Sequence, residues 1–388
     1  MATVIETAAK NGRTENADVQ DYAYTGPDTI AGKYMRLYWQ PVAVSRQLQA
    51  GRAKPITIMS EQFTLYRGQG GTPHVVAFRC AHRGTQLSTG WVEDDCLRCF
   101  YHGWKYDGSG QCVEQPAEDG GFAQKIRIAS YPTQEYLGLI WAYLGPGEPP
   151  PFRRFPQLEV EAEDIVRITM GGNVQRFNYT NNLENDPAHV PFVHRGTEFF
   201  EDIPQVRGEE TEYGSVETVS TTERGDIGWV HRVMPNTRCF TIALPEGDGW
   251  AEFMLWLVPV DDQSHLGFGV IMNHASSSEA KQRLTERMKH WQNNRRDEVP
   301  EIAARILRGE MTLADVDEHN LLQAQDAVSQ GGQGVIRDRV NERLGRSDAG
   351  LIVLRRIWER ELRNLAEGKP LKHWVVPERL ELDPNYHG

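Results

Sequence analysis

From Tyr34 to Asn273 the chain carries short runs of β-branched and aromatic residues, separated by glycine and proline. This is the pattern of consecutive strands and turns. Runs at 38–43, 57–59, 64–67, 75–79 and 138–143 predict a small all-β unit. Runs at 165–170, 215–221, 228–234, 238–244, 250–258 and 266–273 have lengths and turn residues that suit a second, antiparallel sheet. The period then changes. Ser276-x-x-Glu279 is a capping box, and Leu284, Met288 and Trp291 follow at helical spacing. A second helical stretch is expected over about 318–343. A third covers 349–365, with Leu351, Leu354, Ile357, Trp358, Leu362 and Leu365 on its apolar side and Gly368 as its stop. Positions before about 30 read as a loosely ordered lead-in, and those after Lys369 as an irregular strap.

The clearest linker is Gly145-Pro146-Gly147-Glu148-Pro149-Pro150-Pro151, whose prolines favour an extended, semi-rigid form. It divides the chain into a lead-in (1–34) packing on the second domain, a β domain (35–150) and a strand-then-helix domain (151–388). The fold class expected is α+β.

Composition narrows the function. The 388 residues allow two domains and a large core. With 54 acidic residues against 42 Lys plus Arg the net charge is -12, which disfavours nucleic acid. No apolar run approaches the ~20 residues that span a bilayer, and the polar N-terminus has no secretory core. Five cysteines (Cys80, Cys96, Cys99, Cys112 and Cys239) are too sparse and too odd in number for a secreted disulfide framework. A reducing cytoplasm is the expected home.

Two of those cysteines belong to the most specific motif. Cys80-Ala81-His82-Arg83-Gly84 is followed, sixteen residues after His82, by Cys99-Phe100-Tyr101-His102-Gly103-Trp104. Two Cys-His pairs in this order suit a [2Fe–2S] cluster of the Rieske kind, in which one iron takes two thiolates and the other two imidazoles. Glycines flank both pairs, as ligand-bearing hairpin loops require. A zinc staple is the competing reading. Cys-x-His is too tight for the usual finger and ribbon spacings.

The second constellation lies in Asn178-Tyr-Thr-Asn-Asn-Leu-Glu-Asn-Asp-Pro-Ala-His-Val-Pro-Phe-Val-His194. Two histidines close in sequence, His189 and His194, plus one carboxylate from elsewhere make the facial triad of non-heme Fe(II) oxygenases. Asp186 shares a helix face with His189. His189 and His194 would stand about 140° apart on an ideal helix, so they meet at one metal only if the helix breaks, and Pro191 lies between them. Asp186-Pro187 also reads as an N-cap followed by proline. Spacing leaves the third ligand open among Asp315, Asp317, Glu318, Asp326, Asp338 and Asp348.

Together the two constellations resemble the oxygenase (alpha) subunit of the Rieske non-heme iron aromatic-ring oxygenases, in their phthalate dioxygenase-like branch. The resemblance spans nearly the whole chain. It implies that Cys80, His82, Cys99 and His102 hold the [2Fe-2S] cluster and that His189 and His194 hold a mononuclear Fe(II). Asp186 is implied not as a ligand but as a bridge from His102 of one subunit to His189 of the next. The Gln325-Asp326 pair makes Asp326 the third ligand, with Asp338 and Asp348 as structural ion-pair partners. Phe100 stands where many relatives have proline, at a loop position rather than a ligand position. The fold implied is an N-terminal all-β Rieske [2Fe-2S] domain plus a C-terminal helix-grip catalytic domain with a curved antiparallel sheet.

The activity implied is that of a terminal oxygenase. It uses O2 and single electrons from a separate flavin or iron-sulfur reductase, with a ferredoxin as a further carrier, so NAD(P)H acts only indirectly. A small aromatic substrate, an aromatic acid above all, would be hydroxylated, dihydroxylated or O-demethylated. Such an anion calls for a cation in the pocket, with Arg176, Arg195, Arg207, Arg232 and Arg238 as candidates. The assembly implied is a head-to-tail trimer or a multiple of one. The alternative is a Rieske electron-transfer protein without oxygenase activity of its own.

Overall fold

The computed structural model describes residues 21–118, 120–186, 203–222, 225–293 and 298–381. Helix α1 (Ile30–Arg36) leads into short strands: β1 (Gln40–Val44), β2 (Arg52–Ile58), β3 (Glu61–Arg67), β4 (Pro73–Ala77), β5 (Trp91–Glu93), β6 (Cys96–Arg98), β7 (Lys105–Tyr106), β8 (Cys112–Glu114), β9 (Ser130–Tyr131), β10 (Thr133–Tyr136) and β11 (Leu139–Ala142). The longer elements follow: β12 (Ile165–Gln175), α2 (Tyr179–Leu183), β13 (Gln205–Glu210), β14 (Gly214–Thr221), β15 (Gly225–Val233), β16 (Thr237–Ala243), β17 (Gly249–Asp261) and β18 (Ser264–Ala275). Helices α3 (Ser278–Asn293), α4 (Val299–Leu307), α5 (Glu318–Gly331) and α6 (Ala349–Ala366) close the list.

The short strands form three small antiparallel sheets, ordered β2-β3-β4-β9, β5-β6-β7-β8 and β1-β11-β10. The long strands form one seven-stranded antiparallel sheet, β12-β18-β17-β16-β15-β14-β13. It is a meander from β13 to β18, with β12 added beside β18. This is the all-β unit followed by a sheet-and-helix unit that the strand pattern predicts.

Register decides what each face of the large sheet carries. Arg238 stands opposite Arg232 and Leu255, whereas Cys239 stands opposite His231 and Met254. Because side chains alternate, Arg232 and Arg238 share one face, and Cys239, Met254 and Trp256 share the other. The Trp256 face packs against the N-terminal half, with Trp141 and Phe155 edge-on to its ring at 5.1 and 5.3 Å. The arginine face receives α6. A Cβ on Gly350 would lie 2.2 Å from Glu217 Oε2, so only glycine lets this helix come so close.

Four sequence expectations need correction. Tyr22, Ala23 and Thr25 are buried and Tyr22 stacks on Trp358 at 4.8 Å, so this part of the lead-in is anchored in the core rather than loose chain. The second helical stretch ends at Gly331 instead of about 343. Gly331, Gly332 and Gly334 make continuation costly, and the following segment is tied down by ion pairs instead. Asp338 and Asp348 form none of those pairs among the described residues. Asp338 accepts from Val340 N and Asn341 Nδ2, and Asp348 from Gly345 N. The carboxylates that pair with this segment's arginines are Asp21, Glu184 and Glu342. The capping serine of α3 is Ser277, whose hydroxyl accepts from Ala280 N, one residue later than expected. Strand β13 escaped the sequence reading because Gln205-Val206-Arg207-Gly208-Glu209-Glu210 holds a single large apolar residue. Helix α6 covers it. As expected, residues 369–381 run without helix or strand, pinned by buried Trp374 and Leu380.

Candidate functional site

The two Cys-His loops close in the same way. Cys80 N donates to Thr85 O at 2.8 Å, and Cys99 N to Trp104 O at 2.8 Å. Gly84 N then returns to Cys80 O at 2.9 Å, and Gly103 N to Cys99 O at 3.0 Å. Each loop thus begins with its cysteine and turns on a glycine at φ +77 or +74, a conformation open to glycine at no steric cost. A Cβ at Gly103 would also meet Pro116 Cγ at 2.9 Å.

These loops bring all four predicted side chains together. Cys80 and Cys99 are 3% and 2% exposed, at the margin of a core built from Tyr66, Leu97, Trp104 and Tyr106. The His82 and His102 rings meet edge-on at 4.5 Å, half-buried at the surface. Trp104 stacks flat on His82 at 4.5 Å, and Tyr106 Oη lies 3.2 Å from Cys80 Sγ while accepting from Ala81 N. Burial, with Cys99 alongside, pushes the Cys80 thiol up. A coordinated metal would reverse this, since a ligating thiol is deprotonated. Burial, then His82 and Arg83, hold the His102 imidazole low and therefore neutral, the form that binds metal. His82 Nδ1 is buried with no hydrogen-bond partner in the protein. Two facing thiols, two imidazoles and an orphaned ring nitrogen fit a bound iron-sulfur group.

The second constellation is only partly within view. His189, His194 and Arg195 lie outside the described residues, as does the Asp186-Pro187 cap. Among the described residues no three His, Cys, Asp or Glu side chains gather as a single-metal site. Asp186 and Asp326 both lie within electrostatic range of Arg238. Both act, with Glu217, on the buried Arg238 guanidinium, which burial nonetheless pulls down to about 10. Asp326 projects from α5. Of the other candidates, Asp315 caps Thr312 and Asp317 caps α5.

Helix α2 fixes this arrangement through its asparagines. Asn178 Nδ2 donates to Ala23 O and Asp262 O, and Asn181 Nδ2 to Gln330 O and Gly334 O. Asn182 Oδ1 accepts from Arg238 Nη1 at 3.0 Å, while its amide nitrogen lies 3.4 Å from His265 Nε2. His265 Nδ1 donates to Phe177 O at 2.8 Å, which leaves Nε2 as the acceptor for Asn182. Burial pulls His265 down to about 4, so this neutral tautomer persists at neutral pH. Arg232 pairs with Glu217 at 2.9 Å, both side chains 1% exposed. Of the candidate substrate cations, Arg176 pairs on the surface with Glu301 and Arg207 is exposed on β13. Arg232 and Arg238 are the buried ones.

Glu184 was missed by the sequence reading. Its carboxylate is fully buried and meets Arg337, Arg339 and Arg355 as well as the Tyr22 hydroxyl. Its one local signal is the density of polar residues in a segment that must be buried.

Comparison with known proteins bears on the first constellation and on the fold of the whole chain. Residues 38–132 match the Rieske [2Fe-2S] domain. The 5,5'-dehydrodivanillate O-demethylase oxygenase subunit of Sphingobium sp. is 28% identical over 90% of this chain and 81% of its own length. The phenoxybenzoate dioxygenase alpha subunit of Ectopseudomonas oleovorans is 30% identical over 88% and 83%. In fold, the oxygenase in the reduced oxygenase–ferredoxin complex of carbazole 1,9a-dioxygenase superposes with a TM-score of 0.58 at 19% identity, over 87% of this chain and 94% of that one. Likeness that runs through both domains, beyond the metal-binding loops, is what an electron carrier would lack. By its loops, its sheet and its relatives, the chain belongs to the Rieske non-heme iron oxygenases, as an oxygenase alpha subunit.

Proposed function

We propose that this terminal oxygenase acts on an aromatic acid, and that Cys80, His82, Cys99 and His102 hold its [2Fe-2S] group while His189, His194 and Asp326 hold its ferrous iron. The observation that carries this reading is the four-residue loop site, its two histidine rings 4.5 Å apart, in the same chain as two carboxylates, Asp186 and Asp326, whose charges both act on the buried Arg238. When bound, the two iron groups supply single-electron storage and oxygen activation.

The residues around them do the rest. Trp104 and Tyr106 hold His82 and Cys80 in place, and the hydrophobic margin keeps water from the thiols. Asp186 links His102 of one copy to His189 of the next, which asks for a head-to-tail trimer or a multiple of one. Half-buried His102, with exposed Phe100 and Tyr101 beside it, supports contact with a second copy. Arg238 supplies positive charge within electrostatic range of Asp186, which favours an anionic substrate, whereas Arg232 is neutralised by Glu217. The two relatives named for a vanillate and a benzoate point the same way. Electrons come from a separate reductase, directly or through a ferredoxin such as the one in the carbazole dioxygenase complex. We place the domain boundaries at 34/35 and 150/151, and the enzyme in the cytoplasm. No helix among the described residues is long and apolar enough to cross a membrane.

Turnover against a panel of aromatic acids with a surrogate reductase tests the substrate class. The reading predicts oxygenated or demethylated acids, and exclusive turnover of uncharged aromatics would sink it. Asp326→Ala tests the ligand set. Iron should fall from about three to about two per chain, with the cluster's visible spectrum intact. Full iron retention would move the third ligand elsewhere.

A further inference from the structure

Two residues before Asp186 the chain carries the most heavily paired carboxylate among the described residues. Glu184 Oε2 lies 2.6 Å from Arg337 Nη1 and 2.7 Å from Arg355 Nη2, and Oε1 lies 3.1 Å from Arg339 Nη2. The Tyr22 hydroxyl donates to Oε1 as well. These partners come from the lead-in, from the segment after α5 and from α6, so three remote parts of the chain close on one side chain. Burial alone would raise the Glu184 carboxyl. The guanidinium charges overcome that and hold it at about 2, fully ionised. The peptide itself is held from the other side. Arg232 Nε takes Leu183 O at 3.0 Å and Nη2 takes Asn185 O at 3.0 Å, the carbonyls that flank Glu184. Arg232 in turn is locked by Glu217. The backbone leading into Asp186 therefore has a clamp on each side.

We infer that Glu184 is a positioning residue for electron delivery: its clamp by Arg337, Arg339 and Arg355 fixes the backbone from which Asp186 reaches the neighbouring subunit. The inference rests on the bridging reading of Asp186. A carboxylate must hold hydrogen-bond geometry to two imidazoles to couple them, and a shift of about 1 Å at such a point costs rate steeply. A buried anion with three cations is an expensive way to stabilise a fold. Here it defines where one short segment lies.

The test uses the holoenzyme, reduced and then mixed with O2 and substrate, with return of the oxidised visible spectrum followed in a single turnover. Glu184→Gln keeps the shape and removes the charge. Recovery should slow at least tenfold, and amide exchange in the peptide covering 179–186 should accelerate, while cluster content and substrate KM stay within twofold. Wild-type recovery would overturn the inference, and so would slowing that merely tracks lost iron. Should Glu184→Gln fail to accumulate, Arg337→Gln and Arg339→Gln each remove one cation and should each slow recovery. Wild-type rates in both would overturn it equally. Asp186→Asn run in parallel separates the two readings. If it recovers normally, the bridge fails. If it is slow while Glu184→Gln is normal, the bridge stands and the clamp fails.

Discussion

His265 and His231 are buried histidines that the interior keeps neutral, each pulled down to about 4 from an ordinary value of 6.5, with burial the main cause. The unfolded chain titrates them near 6.5, so both states are neutral above that pH and the full stability is present. As pH falls from 6.5 toward 4 the unfolded state takes up protons that the folded state refuses. Stability is therefore lost over that window, by up to about 3 kcal/mol per histidine. Glu184, held at about 2, adds a further loss at lower pH, as the unfolded carboxylate protonates first. Calorimetry between pH 7.5 and 4.5 should show the unfolding midpoint falling steeply below 6.5. His265→Gln should flatten part of that slope, and an unchanged slope would mean that His265 titrates in the folded protein.

At the scale of elements, the two Cys-His loops show how little chain is needed to build half of a candidate metal site. Each is six residues long and is closed by two backbone hydrogen bonds and one left-handed glycine. Gly103→Ala imposes a strained φ and a 2.9 Å contact with Pro116. The cost should be about 1–3 kcal/mol, concentrated in the loop that carries Cys99 and His102. Acid-labile sulfide per chain should fall well below the wild-type value, and the same change at Gly84 should do less, because its Cβ would meet only the Arg79 side chain at 4.0 Å. Equal sulfide loss at both positions would show that φ alone matters. Helix α6 illustrates the opposite case. Its apolar stripe is plain in the sequence, yet its value lies in where it docks, with Gly350 against Glu217, Trp358 against Tyr22 and Arg355 against Glu184.

At the scale of the whole molecule, the large sheet separates two jobs. One face seats the N-terminal half through Trp256, and the other carries the arginines around Asp186 and Asp326. If electrons cross between copies, a His102→Ala chain and an Asp186→Asn chain should each be inactive alone and regain activity when co-expressed. In a randomly mixed ring about a quarter of the interfaces join an intact His102 to an intact Asp186, so activity should approach about a quarter of wild type. No recovery in assemblies verified to contain both chains would place the transfer within one chain.

The proposed cluster site was legible because its four residues lie in two loops whose members are at most three positions apart. Cysteine and histidine chemistry at that range leaves its mark on the sequence directly. The strand meander and α6 were legible for the same reason, since periodicity is a local property. The choice of Asp326 rested on resemblance, because spacing alone left six carboxylates equal. In the structure, Asp315 and Asp317 are taken up by caps, and the charge of Asp326 acts on Arg238. Glu184 was invisible because Tyr22, Arg337, Arg339 and Arg355 stand 153 to 171 positions away along the chain. The sequence by itself determined the chemistry of the loops, the two-domain order and the type of each long element. Only the tertiary structure decided which carboxylates share a face, what clamps the segment before Asp186, and which arginines are buried beside it. Ion pairs and burial are settled by which distant segments fold against each other, and neighbouring positions carry no record of that.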